Sequence, residues 1–220
     1  MHIYDQLQQF SLFQGMSRAE LLQLTGNTKF GFQKHKPQKM IINEGDDCNQ
    51  LYFLISGHLE FVRQSDDHSY QVHEQVHAPW LIQPEVLFGV HPQYVYSVST
   101  LTEVHFITLS KDEILRLLDD FLIFRLNVLN LLSTRLQRRS HQPWRKAPKN
   151  LRERIVRFFL DHCSYPAGPK SFHILMKKLA EEVGDSRLDV SRELNAMQEE
   201  GYLHLSRGRI DIPSLEHLLM

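Results

Sequence analysis

The spacing of hydrophobic positions changes along this chain, and each change predicts a different kind of element. Residues 5–25 suggest short helices carrying Leu7, Phe10, Leu12, Phe13, Leu21, Leu22 and Leu24. Short strand-like runs come next, at Phe30–Lys34, Met40–Ile42, Leu51–Ile55, His58–Val62, Tyr70–Val72, Tyr94–Val98 and Glu103–Ile107. They are separated by turn chemistry: Glu44-Gly45-Asp46-Asp47, Ser56-Gly57, Ser65-Asp66-Asp67, and Pro79, Pro84 and Pro92. Many short strands punctuated in this way predict an antiparallel β-barrel or jelly roll over residues 1–110. From Ser110 the period lengthens. Ser110 and Glu113 have the spacing of a capping box. Leu122, Leu126, Leu129 and Leu136 then form a coiled-coil-like seam, broadened by Ile123, Val128, Leu131 and Leu132. One long helix over 111–140 is predicted, with more apolar surface than a barrel would cover, so it is assigned to self-association. The polar segment from Gln137 to Lys149 contains Pro143 and Pro148 and reads as a hinge, placed at 141–149. Asn150 can cap a further helix bearing Leu151, Ile155, Phe158 and Phe159, which opens a C-terminal domain over 150–220.

Within that domain, Leu175, Leu179, Ala180 and Val183 recur at helical spacing until Gly184. Ser186 can cap a second helix with Val190, Leu194 and Met197 on its inward stripe. Its outward positions are Arg187, Leu188, Ser191, Arg192 and Asn195. A helical hairpin with solvated arginines would show the same spacing. The segment after the second helix favours a nucleic-acid reader. Leu203 and Leu205 alternate with polar neighbours, Arg207-Gly208-Arg209 makes a basic turn, and Ile210 and Ile212 alternate again. A basic β-hairpin directly after the second helix is the wing of a winged helix-turn-helix. Arg187 and Arg192 are then candidates for base edges, with Ser186, Leu188, Ser191 and Asn195 beside them, and Arg207 and Arg209 are candidates for phosphates. The fold class expected is α+β.

Charge supports a division of labour. The 220-residue chain has a formal net charge of −1. Residues 1–137 hold ten Lys or Arg against fifteen Asp or Glu, a balance of −5, and residues 138–220 hold fifteen against eleven, a balance of +4. The cationic half contains the helix-turn-helix, as suits a DNA reader joined to another module. Two cysteines and no apolar run long enough to span a bilayer predict a cytoplasmic protein without structural disulfides or membrane contact.

These features together resemble the Crp–Fnr family of bacterial transcription regulators. The most specific pieces are Ile41-Ile42-Asn43-Glu44-Gly45-Asp46 and Tyr52-Phe53-Leu54-Ile55-Ser56-Gly57 in the barrel. In the C-terminal domain they are Leu179-Ala180, Gly184, Ser186-Arg187, Val190-Ser191-Arg192, Leu194 and Gly201-Tyr202-Leu203. The resemblance implies a homodimer on a palindromic operator in double-stranded DNA, contact with RNA polymerase, and a barrel pocket for a small-molecule effector, normally a cyclic nucleotide. Arg187 and Arg192 fall where the family's base-reading arginines sit. Between them, where well-known members carry a glutamate, this chain has Leu188. An apolar side chain cannot accept a hydrogen bond from cytosine but can touch a thymine methyl, so a different operator is expected.

The effector pocket departs from the family's pattern. The nearest match to the ribose-binding Gly-Glu pair is Pro84-Glu85, and no Lys or Arg occurs from Gln64 to Ser110. A buried phosphate there would lack its charge-assisted partner, so cyclic AMP in the usual mode is not expected. Glu85, Leu87 and Phe88 are the candidate pocket residues, and Trp80, Leu87 and Phe88 could close it. Two cysteines cannot supply the four ligands of an iron–sulfur cluster. Thirteen histidines leave haem ligation open, yet none stands in a spacing that specifies a metal. No phosphate-binding glycine loop, nucleophile elbow or His-Glu-x-x-His is present, so no enzyme is expected. The competing reading is a ligand- or haem-binding sensor whose C-terminal domain engages protein rather than DNA.

Overall fold

A computed structural model describes residues 3–144 and 146–219. Arg145, in the expected hinge, lies outside the described residues. In chain order the helices and strands are α1 (Ile3–Leu7), α2 (Arg18–Asn27), β1 (Gly31–His35), β2 (Met40–Ile42), β3 (Gln50–Ser56), β4 (His58–Gln64), β5 (Tyr70–His77) and β6 (Trp80–Ile82). Then come β7 (Ser97–Thr100), β8 (Val104–Ser110), α3 (Lys111–Asp120), α4 (Leu122–His141), α5 (Leu151–Asp161), β9 (Lys170–Ile174), α6 (Met176–Val183), α7 (Arg187–Glu199), β10 (His204–Ser206) and β11 (Arg209–Ile212). The fold is α+β, with antiparallel sheets in the N-terminal part and a winged helix-turn-helix at the C-terminal end.

The chain forms two compact units. The first comprises residues 1–59, 77–95 and 99–145. Its four-stranded sheet runs β1-β8-β3-β6, with Phe53 opposite Ile107 and Leu54 opposite Phe106. Gly57 turns the chain after β3 at φ +97°, and a Cβ there would stand 2.4 Å from the Glu103 carbonyl oxygen, so only glycine fits this turn. The early apolar residues pack onto this sheet: the Phe13 ring lies 5.7 Å from Phe53 and 5.3 Å from Phe124 of α4. Asn127 of α4 donates to the Leu12 and Gln14 carbonyls at 3.1 and 2.8 Å, which fixes the start of the chain to that helix.

The long helix expected over 111–140 is two helices. Phe121, between α3 and α4, has extended backbone (φ −124°, ψ 106°) and is 7% exposed. Burying this ring turns the chain, and the guanidinium of Arg125 covers the freed α3 carbonyls of Leu118 and Asp119. Ser110 caps α3 by accepting from the Glu113 amide, but the reciprocal half of the capping box is missing because the Glu113 carboxylate is spent on the Lys29 amide and Arg116. Phe124 is the α4 residue taken into the core, whereas Leu122, Leu126, Leu129 and Leu136 are 62%, 45%, 53% and 67% exposed.

The second unit comprises residues 60–76, 96–98 and 146–220. Its core is formed by Ile155, Phe158, Phe159, Phe172, Leu179, Val183, Val190, Leu194, Met197 and Ile210 with their neighbours. Strand β9 has no counterpart among the strands expected from sequence. It pairs antiparallel with β11 on one edge and with β5 on the other, so the hairpin that carries β5 belongs to this unit's sheet. Inside the joint, Glu74 and Lys170 form an ion pair at 3.3 Å with both side chains 1% exposed. Glu74 also accepts from the Ser164 amide and from its hydroxyl at 2.6 Å, which satisfies the buried carboxylate. Among the described residues, no helix is long and apolar enough to cross a membrane.

Candidate nucleic-acid interface

Helices α6 and α7 are held at a fixed turn by three devices. Gly184 ends α6 in the left-handed region (φ 66°, ψ 47°), a conformation that costs glycine little. Asp185 binds Arg154 of α5, and the same guanidinium donates to the Val183 carbonyl at 3.0 Å. Ser186 caps α7: its hydroxyl oxygen accepts from the Asp189 amide at 3.1 Å, and its O–H donates to the Asp189 carboxylate at 2.7 Å. Arg152 of α5 then binds Glu193 at 2.8 Å and Glu200 at 2.6 Å, tying α7 to α5 at its middle and at its C-terminal end. Val190, Leu194 and Met197 are buried, as their spacing predicts. Leu175 departs from its expected place. It is the N-cap residue of α6, is 65% exposed, and the α6 core stripe begins at Leu179.

The opposite side of α7 carries the candidate contacts. Arg187, Leu188, Arg192 and Asn195 are exposed, Leu188 by 69%, and Ser191 is half-buried. Arg192 leans on Asp189 at 2.9 Å, an exposed pair of the kind that contributes little and is easily given up. Arg187 has no carboxylate partner among the described residues. The Asn195 side-chain amide donates to the Ser191 carbonyl at 2.7 Å. In the wing, β10 and β11 pair Ser206 with Arg209, and the connecting turn is Arg207-Gly208, with Gly208 at φ 72°. Arg207 is exposed at this tip. Arg209 donates to Asp211 at 2.8 Å. Burial would raise the Asp211 carboxyl, but Arg209 and Ser171 outweigh it and hold the group below the usual carboxylate range, so the pair is charged at neutral pH. On α7 and the wing, Arg192 and Arg209 are thus engaged by carboxylates, while Arg187 and Arg207 have no carboxylate partner among the described residues.

The candidate pocket residues in the first unit have other tasks. Glu85 pairs with Arg135 of α4, Leu87 is buried in the core, and Phe88 lies under the Lys111 ammonium at 5.2 Å. The sequence shows no cation near Glu85. Folding brings one from fifty residues further on, and it is already bound to the carboxylate. A separate cleft is lined by Ile41, Ile42, Asp46, Gln50, Tyr52 and Tyr94 among others, and none of the described Lys or Arg side chains lines it. Cys48 is fully buried beside it, and burial pushes its thiol up, away from the reactive thiolate. Among the described residues, no group of three His, Cys, Asp or Glu side chains is arranged to hold a metal ion.

Sequence reasoning finds the outward face of α7 and the wing. It misses Arg152, Arg154 and Asp185, whose roles are long-range, and the hairpin of residues 60–76, whose pairing with β9 leaves no local pattern.

Among known protein families, the sequence model of the cyclic nucleotide-binding domain matches residues 32–121, and that of the Crp-like helix-turn-helix domain matches residues 153–220. No curated protein matches the chain by sequence. Among solved structures, the catabolite activator protein of Thermus thermophilus is similar with a TM-score of 0.52 at 22% identity, covering 96% of this chain and 97% of that one. The global regulator CLP of Xanthomonas campestris, described as c-di-GMP responsive, gives a TM-score of 0.51 at 20% identity over 89% of this chain and 99% of its own. A regulator of the Crp/Fnr type from Eubacterium rectale gives 0.52 at 20% identity over 96% of both chains. At these identities the likenesses speak for the fold.

Proposed function

The chain belongs to the Crp–Fnr family of transcription regulators, and on that footing we propose that it works as a homodimer on an inverted-repeat operator. DNA binding comes with the helix-turn-helix domain. The observation that carries the finer reading is the single exposed face of α7, on which Arg187, Leu188 and Arg192 stand together with the basic wing tip at Arg207. Arg187 and Arg192 make bidentate contacts to guanine, and Leu188 touches a thymine methyl. Ser191 and Asn195 add contacts to base or phosphate, Arg207 and Arg209 take phosphates, and the open amides behind Ser186 cradle another. Arg192 exchanges Asp189 for a base edge on docking. The exposed leucines of α4 pair with those of a second copy, so residues 111–140 act as dimerisation segment, 141–149 as hinge and 150–220 as reader. Half-sites then lie about one helical turn, ~34 Å, apart. Regulation proceeds in the cytoplasm with RNA polymerase as partner and an unidentified effector in the domain of residues 1–110. Titrating a fluorescent mixed-sequence duplex at rising salt tests the reading. Affinity should fall steeply with salt, and salt-independent or undetectable binding would favour a module that engages protein.

Cyclic nucleotides are not the effector in this proposal. Glu85 has its charge matched by Arg135, and that arginine would have to leave a carboxylate to take a phosphate. Cyclic AMP and cyclic GMP are expected to bind no better than roughly millimolar, about −4 kcal/mol. Calorimetry returning a micromolar constant for either one would contradict this.

A further inference from the structure

Residues 60–76 join the winged-helix sheet through paired backbone: Tyr70 opposite Ile174, Gln71 opposite His173, Val72 opposite Phe172, His73 opposite Ser171 and Glu74 opposite Lys170. Alternation along the strands sends Val72, Glu74, Phe172 and Lys170 inward and leaves Gln71, His73, Ser171 and His173 on the other face. On that face the imidazoles of His73 and His173 stack across the joint, with centroids 4.1 Å apart and planes 18° from parallel. The His73 side chain is 19% exposed, and its Nε2 is buried without a hydrogen-bond partner. The charged groups around the two rings are Glu60 of β4, 3.2 Å from His73 Nδ1, and Arg209 and Asp211 of β11.

We propose that the stacked His73–His173 pair makes the joint between this hairpin and the winged-helix sheet a proton-operated latch, closed while the rings are neutral and loosened when both are charged. The cause is electrostatic. Two neutral rings stack favourably, but two imidazolium ions about 4 Å apart repel. Glu60 sits against His73 and Asp211 against Arg209, and the pull of these two carboxylates on a proton at His173 is weaker than the opposition of burial, His73 and Arg209. Burial, then His73 and then Arg209, hold the His173 pKa below its ordinary 6.5. A base whose pKa is depressed in the closed joint takes its proton more readily in the open one. The latch is therefore at full strength above about pH 6.5 and weakens as pH falls below it.

The other ties across the joint do not reverse this. Lys178 binds Asp67 at 3.0 Å and Glu182 at 3.0 Å, and the Asp67–Lys178 pair stays charged throughout the range, since hydrogen bonds from Ser69, Ser65 and Lys178 hold the Asp67 carboxyl well below the usual carboxylate range. Tyr70 meets His162 Nε2 at 2.9 Å while His162 Nδ1 lies 2.7 Å from the Phe158 carbonyl oxygen, so Nδ1 is the donor there. On protonation Nε2 donates to the Tyr70 oxygen instead, and the contact persists. The latch does not depend on what the unit reads, and its test needs no DNA.

The test is amide hydrogen exchange on the intact protein at about pH 7.5 and about pH 5.5, corrected for intrinsic rates. Peptides covering β5 and β9 should lose protection about tenfold at the lower pH, while those covering β3 and β8 keep theirs. The His73→Gln and His173→Gln variants should show little of this pH dependence. Unchanged β5 and β9 protection in the wild-type protein would overturn the proposal without recourse to any variant. An equal loss in a folded His73→Gln/His173→Gln double variant would overturn it too.

Discussion

Replacing Lys170 with methionine is expected to cost the second unit about 3–5 kcal/mol, the penalty of leaving a buried carboxylate without its counter-charge. The Glu74 and Lys170 side chains are each 1% exposed, so water cannot take over the role of the ammonium while the joint stays closed. The three hydrogen bonds from Ser164 soften the loss but do not supply a positive charge. The cost is also capped: once it exceeds the free energy of releasing the hairpin, Glu74 escapes into water and β5 leaves β9. Adding Glu74→Gln to Lys170→Met should recover most of the loss, because neither charge is then buried alone. Calorimetric unfolding of both variants checks this. A Lys170→Met protein within about 0.5 kcal/mol of wild type would show that the pair carries no such weight.

The second large effect concerns assembly. Leu126→Asp with Leu129→Asp should raise the dimer dissociation constant by more than about a thousandfold, since each carboxylate would be desolvated at the seam at a cost of several kcal/mol. A two-fold axis doubles the number of such groups. The monomer should remain folded, because Leu126 and Leu129 are 45% and 53% exposed and the core contact of α4 is Phe124. Sedimentation at micromolar concentration decides it. A wild-type monomer there, or a variant that stays dimeric, would remove the α4 assignment.

What the sequence made legible was local. The inward stripe Val190, Leu194 and Met197, the stop at Gly184, the cap at Ser186 and the wing turn at Gly208 each depend on residues within one or two turns of chain, and all stand where their spacing puts them. The single long helix failed because α3 and α4 are both helix-forming, and only the burial of Phe121 separates them. Leu175 has the right spacing for the α6 stripe but sits one residue before the helix, at its cap. Strand β9 alternates Lys170, Phe172 and Ile174 inward, and a lysine at an inward position hides the pattern until Glu74 arrives from a distant hairpin. The same holds for Arg135 at Glu85 and for Arg154 at Asp185: ion pairs formed across fifty and thirty-one residues have no signature in a single sequence.

The central claim, that α7 reads bases while the wing holds phosphate, is tested most directly by binding of Arg192→Ala and Arg207→Ala to the operator and to scrambled duplex at two salt concentrations. Arg192→Ala should lose about 1–3 kcal/mol on the operator, relax the preference at one base pair and leave scrambled DNA nearly unaffected. Arg207→Ala should weaken both duplexes alike and lower the salt slope by about one, the share of a single neutralised phosphate. Equal weakening of both DNAs by both variants would contradict base reading by α7 and leave only a generic basic surface.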